Sequence, residues 1–202
     1  MLKYNSPQYC DQRLNVKNVN MDRKTFMINR YKDKKILHIG CGGGDRYFDD
    51  KYNHLHINFI NQGMNIDGVD IRKDIIDDMK IKFPNNNFYN SISEIKDEYE
   101  NEYDVVLLPE VLEHVDNMRL FLDELFSINA KTFFISVPNC EGYKDKFKRI
   151  KDNISEEVHP EHYYWFSAYT LFNSVKQYIT DMDNTSMFYL QNRWSIAIEI
   201  NR

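Results

Sequence analysis

The sequence predicts an α/β fold, a doubly wound and mostly parallel sheet, and three observations predict it. The stretch 34–45, KKILHIGCGGGD, is a short apolar run that enters glycines at Gly40, Gly42, Gly43 and Gly44, the pattern of a buried strand ending in a tight turn. A second apolar strand ends in an acid at Asp70, within GVDI, 26 residues after Gly44. Doubly wound folds place a ribose-binding carboxylate at the end of such a strand. Beyond it, strand-like runs continue to alternate with helix-like ones.

Taken in order, residues 1–33 are polar and mixed, and Val19, Met21, Phe26, Met27, Ile28 and Tyr31 form an uneven apolar stripe. One or two helices covering the sheet or the ligand site are expected there. The first strand of the sheet runs from about Lys35 to Ile39. The link to the next strand is long and contains His54, Leu55, His56, Ile57 and Phe59; irregular structure is expected, with His54 and His56 on a solvated strand edge. Strand two spans about Ile66–Ile71. Ile75, Ile76, Met79 and Phe83 follow at helical spacing until Pro84 stops the helix. Phe88, Tyr89 and Ile92 make a short third strand. Tyr103–Leu108, closed by Pro109, is the most strand-like run and reads as a central strand. A helix over Asp116–Ala130 carries Leu120, Leu122, Leu125 and Phe126, and Thr132–Val137 is strand five. Residues 141–161 form a lid-like insertion with the basic positions Lys144, Lys146, Lys148 and Arg149. Ser167 caps a helix containing Leu171, Phe172, Val175 and Ile179, and 186–190 and 194–200 alternate as a closing antiparallel hairpin.

The 202 residues suit one domain over 1–202, and 42% hydrophobic with 14% aromatic content supports a full core. A net charge of −5 lacks the basic footprint of a nucleic-acid binder, so a small-molecule acceptor is expected. No apolar run reaches the length of a membrane span, and the first residues lack a signal-peptide core; a cytoplasmic, membrane-free protein is the expectation. Three widely spaced cysteines, Cys10, Cys41 and Cys140, suggest neither disulfides nor a zinc knuckle. Cys41 fills the small space within the glycine loop.

The glycine loop allows a nucleotide-like ligand to lie against bare backbone at a helix start. Asp70 is its ribose ligand or, alternatively, a cap for the following helix. Asn90 and Ser91, after the third strand, either touch an adenine edge or serve the turn, and turn chemistry explains them equally well.

In this order the motifs ILHIGCGGG, GVDI, YDVVLLPEVLEHV, FFISVPN and HPEHYYWFS resemble a class I S-adenosylmethionine-dependent methyltransferase over residues 34–180. The resemblance implies a Rossmann-like, seven-stranded, mostly parallel sheet with a C-terminal antiparallel hairpin. It also implies cofactor contacts at Gly40, Cys41, Gly42, Gly44, Asp70, Ile71 and Ser91. His38 stands where the family usually has an acid.

Glu110, Glu113 and His114 are three and four residues apart, a spacing that puts three ligands on one side of a helical turn. Two carboxylates and an imidazole suit a hard or borderline divalent ion, and His162, or His159, can supply a further imidazole. This E-x-x-E-H with a distant histidine is similar to the metal-using small-RNA 2′-O-methyltransferases and to the O-methyltransferases of ubiquinone biosynthesis. The resemblance implies Mn²⁺ or Mg²⁺ on Glu110, Glu113, His114 and His162, with Glu113, His114 and His162 also catalytic. The expected reaction is O-methylation of a small polar or anionic acceptor, such as a sugar, a phosphorylated metabolite or a surface-polysaccharide precursor. The alternatives are a metal-free enzyme with His114 or His162 as base, an RNA 3′-end 2′-O-methyltransferase, and a non-catalytic cofactor sensor. A dehydrogenase is disfavoured because Asp45 stands where the third glycine of G-x-G-x-x-G would be.

Overall fold

A computed structural model describes residues 13–43, 54–95, 103–142 and 159–202. Eight strands, β1 (Val16–Asn18), β2 (Ile36–Ile39), β3 (Ile66–Val69), β4 (Phe88–Tyr89), β5 (Tyr103–Pro109), β6 (Ala130–Pro138), β7 (Thr185–Leu190) and β8 (Ser195–Asn201), form one sheet. Their order is β1-β7-β8-β6-β5-β2-β3-β4. Only β8 runs against its neighbours, pairing antiparallel with both β6 and β7.

The helices are α1 (Arg23–Tyr31), α2 (Leu55–Asn61), α3 (Lys73–Lys82), α4 (Met118–Leu125) and α5 (Ala168–Val175). They cover both faces because the central strands are apolar on both sides. Phe26, Met27 and Tyr31 of α1 and Phe59 of α2 pack with Ile36, Leu107 and Phe134 on one face. Leu122 and Leu125 of α4 and Leu171, Phe172 and Val175 of α5 pack with Leu37, Val106, Phe133 and Ile135 on the other. Alternation along the strands thus divides the core into two layers. The α3 residues Ile75, Ile76 and Met79 close over Cys41 and Phe88.

The chain leaves β2 toward β3 and β4, then returns to β5 on the opposite side of β2. Such a reversal opens a crevice at the carboxyl ends of the two strands. Gly40 follows β2 there and Glu110 follows β5.

Four expectations are corrected. The N-terminal segment is not wholly helical: Val16–Asn18 is an edge strand parallel to β7, which makes the sheet eight-stranded rather than seven-stranded. His54 and His56 lie at the start of α2, 6% and 0% exposed, rather than on a solvated strand edge; His54 caps that helix through Nδ1. Ile92 belongs to a 3₁₀ turn over Ile92–Ile95 and not to the third strand. Leu120 lies outside the buried stripe of α4, which ends at Leu125. None of the described helices is long and apolar enough to cross a membrane.

Candidate functional site

The glycine loop is built on positive backbone angles. Gly40 has φ of +79°, and a Cβ there would stand 2.4 Å from Val111 Cγ2. Only glycine fits both demands. Gly40 and Cys41 donate their N–H groups to the Val69 carbonyl, at 2.8 and 3.0 Å, so the loop is stitched to the end of β3. Gly42 donates to Asp70 Oδ2 at 2.7 Å, and Asp70 Oδ1 accepts from the Arg72 N–H at 2.9 Å. Asp70 is therefore a strut between the loop and the α3 start, and its half-buried carboxylate stands where a ribose ligand is expected. Cys41 is fully buried under Gly68, whose Cβ would stand 2.7 Å from its sulfur. That leaves a ligand only its backbone. Ile71 is 90% exposed beside Asp70, and Ser91 shares a hydrogen bond with Ser93 at 2.7 Å. Gly44 and the basic positions Lys144, Lys146, Lys148 and Arg149 lie outside the described residues.

Beneath the loop, His38 of β2 and His56 of α2 stack at an interplanar angle of 21° with their Nδ1 atoms 3.0 Å apart. Burial holds the His38 imidazole well below its ordinary range, helped by His56, His54 and Arg23. Burial, with His54, pushes His56 down to about 3. Both rings are neutral at physiological pH.

The second cluster lies just past β5. The 3₁₀ turn Leu112–His114 tucks Leu112 into the core and buries Glu113 to 1% exposure. The Glu113 carbonyl accepts from Tyr163 N–H at 2.8 Å and Tyr164 N–H at 3.3 Å, which draws the 159–166 segment over the turn. As a result the rings of His114 and His162 meet edge to face, 4.6 Å between centroids, with the exposed His159 5.1 Å from His162. Ligating atoms of Glu113, His114 and His162 all lie within 4.8 Å of one another. Among the described residues neither carboxylate oxygen of Glu113 has a hydrogen-bond partner, and His114 Nε2 stands 4.0 Å from Oε1. Burial pushes its carboxyl up to about 7, against the opposing charge of Arg23, while burial lowers both His114 and His162.

Glu110 does not join the group formed by Glu113, His114 and His162. Its φ of +55° breaks the backbone between β5 and the turn, so 110, 113 and 114 do not share one side of a helical turn. Its carboxylate meets Arg23 Nη1 at 2.5 Å instead. Arg23, at the first position of α1, is the residue that sequence reasoning missed. Burial lowers its guanidinium to about 10, still charged at neutral pH. Nothing near it in sequence marks it, because its partner is 87 positions away.

A family of methyltransferase domains matches residues 13–178, most of the chain. The chain belongs to that family. Its motif order and sheet make it a class I S-adenosylmethionine-dependent methyltransferase. Ubiquinone biosynthesis O-methyltransferases from two strains of Rickettsia bellii are 32% identical over 114 residues, 52% of this chain and 44% of theirs. The matched stretch thus spans less than half the length of those relatives. The structure of the Pnkp1/Rnl/Hen1 RNA repair complex superposes with a TM-score of 0.62 at 18% identity, over 89% of this chain and 41% of that one. Magnesium protoporphyrin IX methyltransferase from Synechocystis PCC 6803, with bound S-adenosylhomocysteine, gives 0.56 at 16% identity, over 89% and 80%. These likenesses carry the methyltransferase fold.

Proposed function

We propose that this methyltransferase transfers the methyl group to an oxygen of a small polar or anionic acceptor, with a divalent metal ion held beside the cofactor. The observation that carries this reading is Glu113: a buried carboxylate whose two oxygens have no hydrogen-bond partner among the described residues, next to two imidazoles. An uncompensated buried carboxylate costs several kcal/mol, and a bound cation removes that cost. The donors fit Mn²⁺ or Mg²⁺, with imidazole leaning toward Mn²⁺. Glu113, His114 and His162 would hold the ion. When bound, it supplies a charge that lowers the pKa of an acceptor hydroxyl.

Methyl transfer from a sulfonium is an in-line displacement: the acceptor oxygen forms a bond to carbon as the carbon–sulfur bond breaks toward sulfur. The chain's task is alignment and proton removal. The glycine loop and Asp70 hold the nucleoside end. Burial favours the neutral form of His114 and His162, whose lone pairs would then go to the ion, and the acceptor proton leaves to solvent. That neutrality is also the observation favouring a second reading, a metal-free enzyme in which one of them is the base. The Rickettsia relatives support oxygen as the acceptor atom, and the net charge of −5 argues for a small acceptor over RNA.

Calorimetry with S-adenosylhomocysteine and, separately, Mn²⁺ and Mg²⁺ tests the proposal. Wild type should bind the nucleoside and one Mn²⁺, and Glu113→Gln should keep the first and lose the second. Nucleoside binding without metal binding would move the chemistry to histidine base catalysis.

A further inference from the structure

Resting on the metal reading above, we propose that Tyr164 is the positioning residue for His162: its phenol donates to the Asp116 carbonyl and so holds the His162 imidazole against His114.

Glu113 and His114 are neighbours on one turn and need no help to meet. His162 arrives on a different segment, and its approach has to be arranged. The far end of that segment is fixed to the end of β6: Asn139 pairs with Phe166, and the Cys140 N–H donates to the Phe166 carbonyl at 2.8 Å. Its near end crosses the turn. There the Tyr163 and Tyr164 N–H groups converge on the Glu113 carbonyl at 2.8 and 3.3 Å, and the Tyr164 hydroxyl donates to the Asp116 carbonyl at 3.1 Å. The backbone pair shares a single oxygen, about which the segment can pivot. The phenol adds a second point, three residues further along the turn. The two acceptors straddle His114 in the chain, and their donors directly follow His162. Two points fix a direction as well as a distance, and the two rings meet 4.6 Å apart.

Packing places the ring but does not by itself direct its hydroxyl. Tyr164 is half-buried; its ring lies against the apolar core with Phe166 at 6.1 Å between centroids, and it lines a cavity of about 620 Å³ together with Asn117, Arg119 and Gln177. A hydroxyl at such a cavity can be satisfied by water as well as by a carbonyl. Its bond to Asp116 therefore does more than satisfy a polar atom: it selects one placement of the segment. An imidazole on a loosely held segment loses conformational freedom when it takes up an ion, and one already held in place loses less. Contacts beyond the ligands themselves commonly set metal affinity in this way.

The test is calorimetry with Mn²⁺ and S-adenosylhomocysteine, joined to electron paramagnetic resonance with Cu²⁺, which two facing imidazoles bind whether or not the enzyme uses a metal. Tyr164→Phe keeps the ring and removes the donor. It should weaken Mn²⁺ and Cu²⁺ by about 3- to 10-fold, the worth of one hydrogen bond, diminish the two-nitrogen Cu²⁺ signal and leave S-adenosylhomocysteine within about twofold. Tyr164→4-aminophenylalanine, which restores a donor, should return the metal affinities toward wild type. In a His162→Ala background, Tyr164→Phe should cost nothing further, because it acts through His162. A lower melting temperature with unchanged metal affinities would overturn the proposal. So would equal weakening of metal and nucleoside, or a further loss in the His162→Ala background. If wild type gives the two-nitrogen Cu²⁺ signal but binds no Mn²⁺, the metal reading fails while Cu²⁺ still decides the role of Tyr164. If wild type gives no such signal, the two histidines do not meet and the positioning role falls. Should Tyr164→Phe not fold, Tyr164→O-methyltyrosine, which keeps the oxygen without the donor, must show the same losses.

Discussion

Acidification from pH 6.5 to 5 should destabilise this methyltransferase through the histidine pair under its glycine loop. His38 and His56 are 1% and 0% exposed, and their Nδ1 atoms are 3.0 Å apart, room for one shared proton. A second proton would place two N–H groups face to face and a buried charge near Arg23. Burial accordingly pushes His56 down to about 3, against an unfolded value near 6.5. For a histidine with a depressed folded pKa, the folded state stays neutral while the unfolded chain takes up a proton below about pH 6.5. Stability is therefore fully present above that pH and is lost as pH falls toward the folded value. The limiting slope is about 1.36 kcal/mol per pH unit for each such group. Since the unfolded imidazole is already half protonated at pH 6.5, His56 alone accounts for about 1.6 kcal/mol by pH 5. For a chain of this size that is a fall of about 3–7 °C in melting temperature, and His38 shifts in the same direction. Thermal melts of wild type and a His38→Leu/His56→Phe variant, which keeps an apolar contact against Phe59 and Phe88, provide the assay. The variant's curve should be flatter by at least that amount. Parallel losses in the two proteins would refute the reasoning.

Two further outcomes concern the cofactor side. Gly40→Ala must place a Cβ at φ +79° and 2.4 Å from Val111; the left-handed conformation alone costs about 1–2 kcal/mol, and displacing Val111 distorts the loop. S-adenosylhomocysteine affinity should fall at least 10-fold by calorimetry, and normal binding would show that the loop is not the cofactor site. Asp70→Asn leaves one acceptor where the Gly42 and Arg72 N–H groups need two; stability should fall by about 1 kcal/mol and nucleoside affinity by about 10-fold or more. A loss of stability alone would make Asp70 a strut and remove it from the ribose site.

Much of this was legible before the structure. The glycine run could only be a turn with bare backbone, the apolar runs 36–39, 66–69 and 103–108 could only be buried strands, and Ser167 announced the helix that follows it. The segments misread were those whose local signals point two ways. Val16–Asn18 is a strand because it pairs with β7, 171 residues later in the chain. His54 and His56 alternate with apolar neighbours as a strand would, yet His54 caps a helix and carries His56 into the core.

The candidate site divides the same way. Local sequence determined the kinds of group available: glycines for the loop, Asp70 at a strand end, a carboxylate and an imidazole side by side at 113 and 114. Tertiary structure decided which of them meet. Hydrogen bonds from Tyr163 and Tyr164 to the Glu113 carbonyl bring His162 across to His114. The left-handed turn at Glu110 sends that carboxylate to Arg23 instead of to its sequence neighbours. Spacing along a chain specifies company only while the backbone is regular. One residue at positive φ was enough to break the series, and only the fold shows where it points.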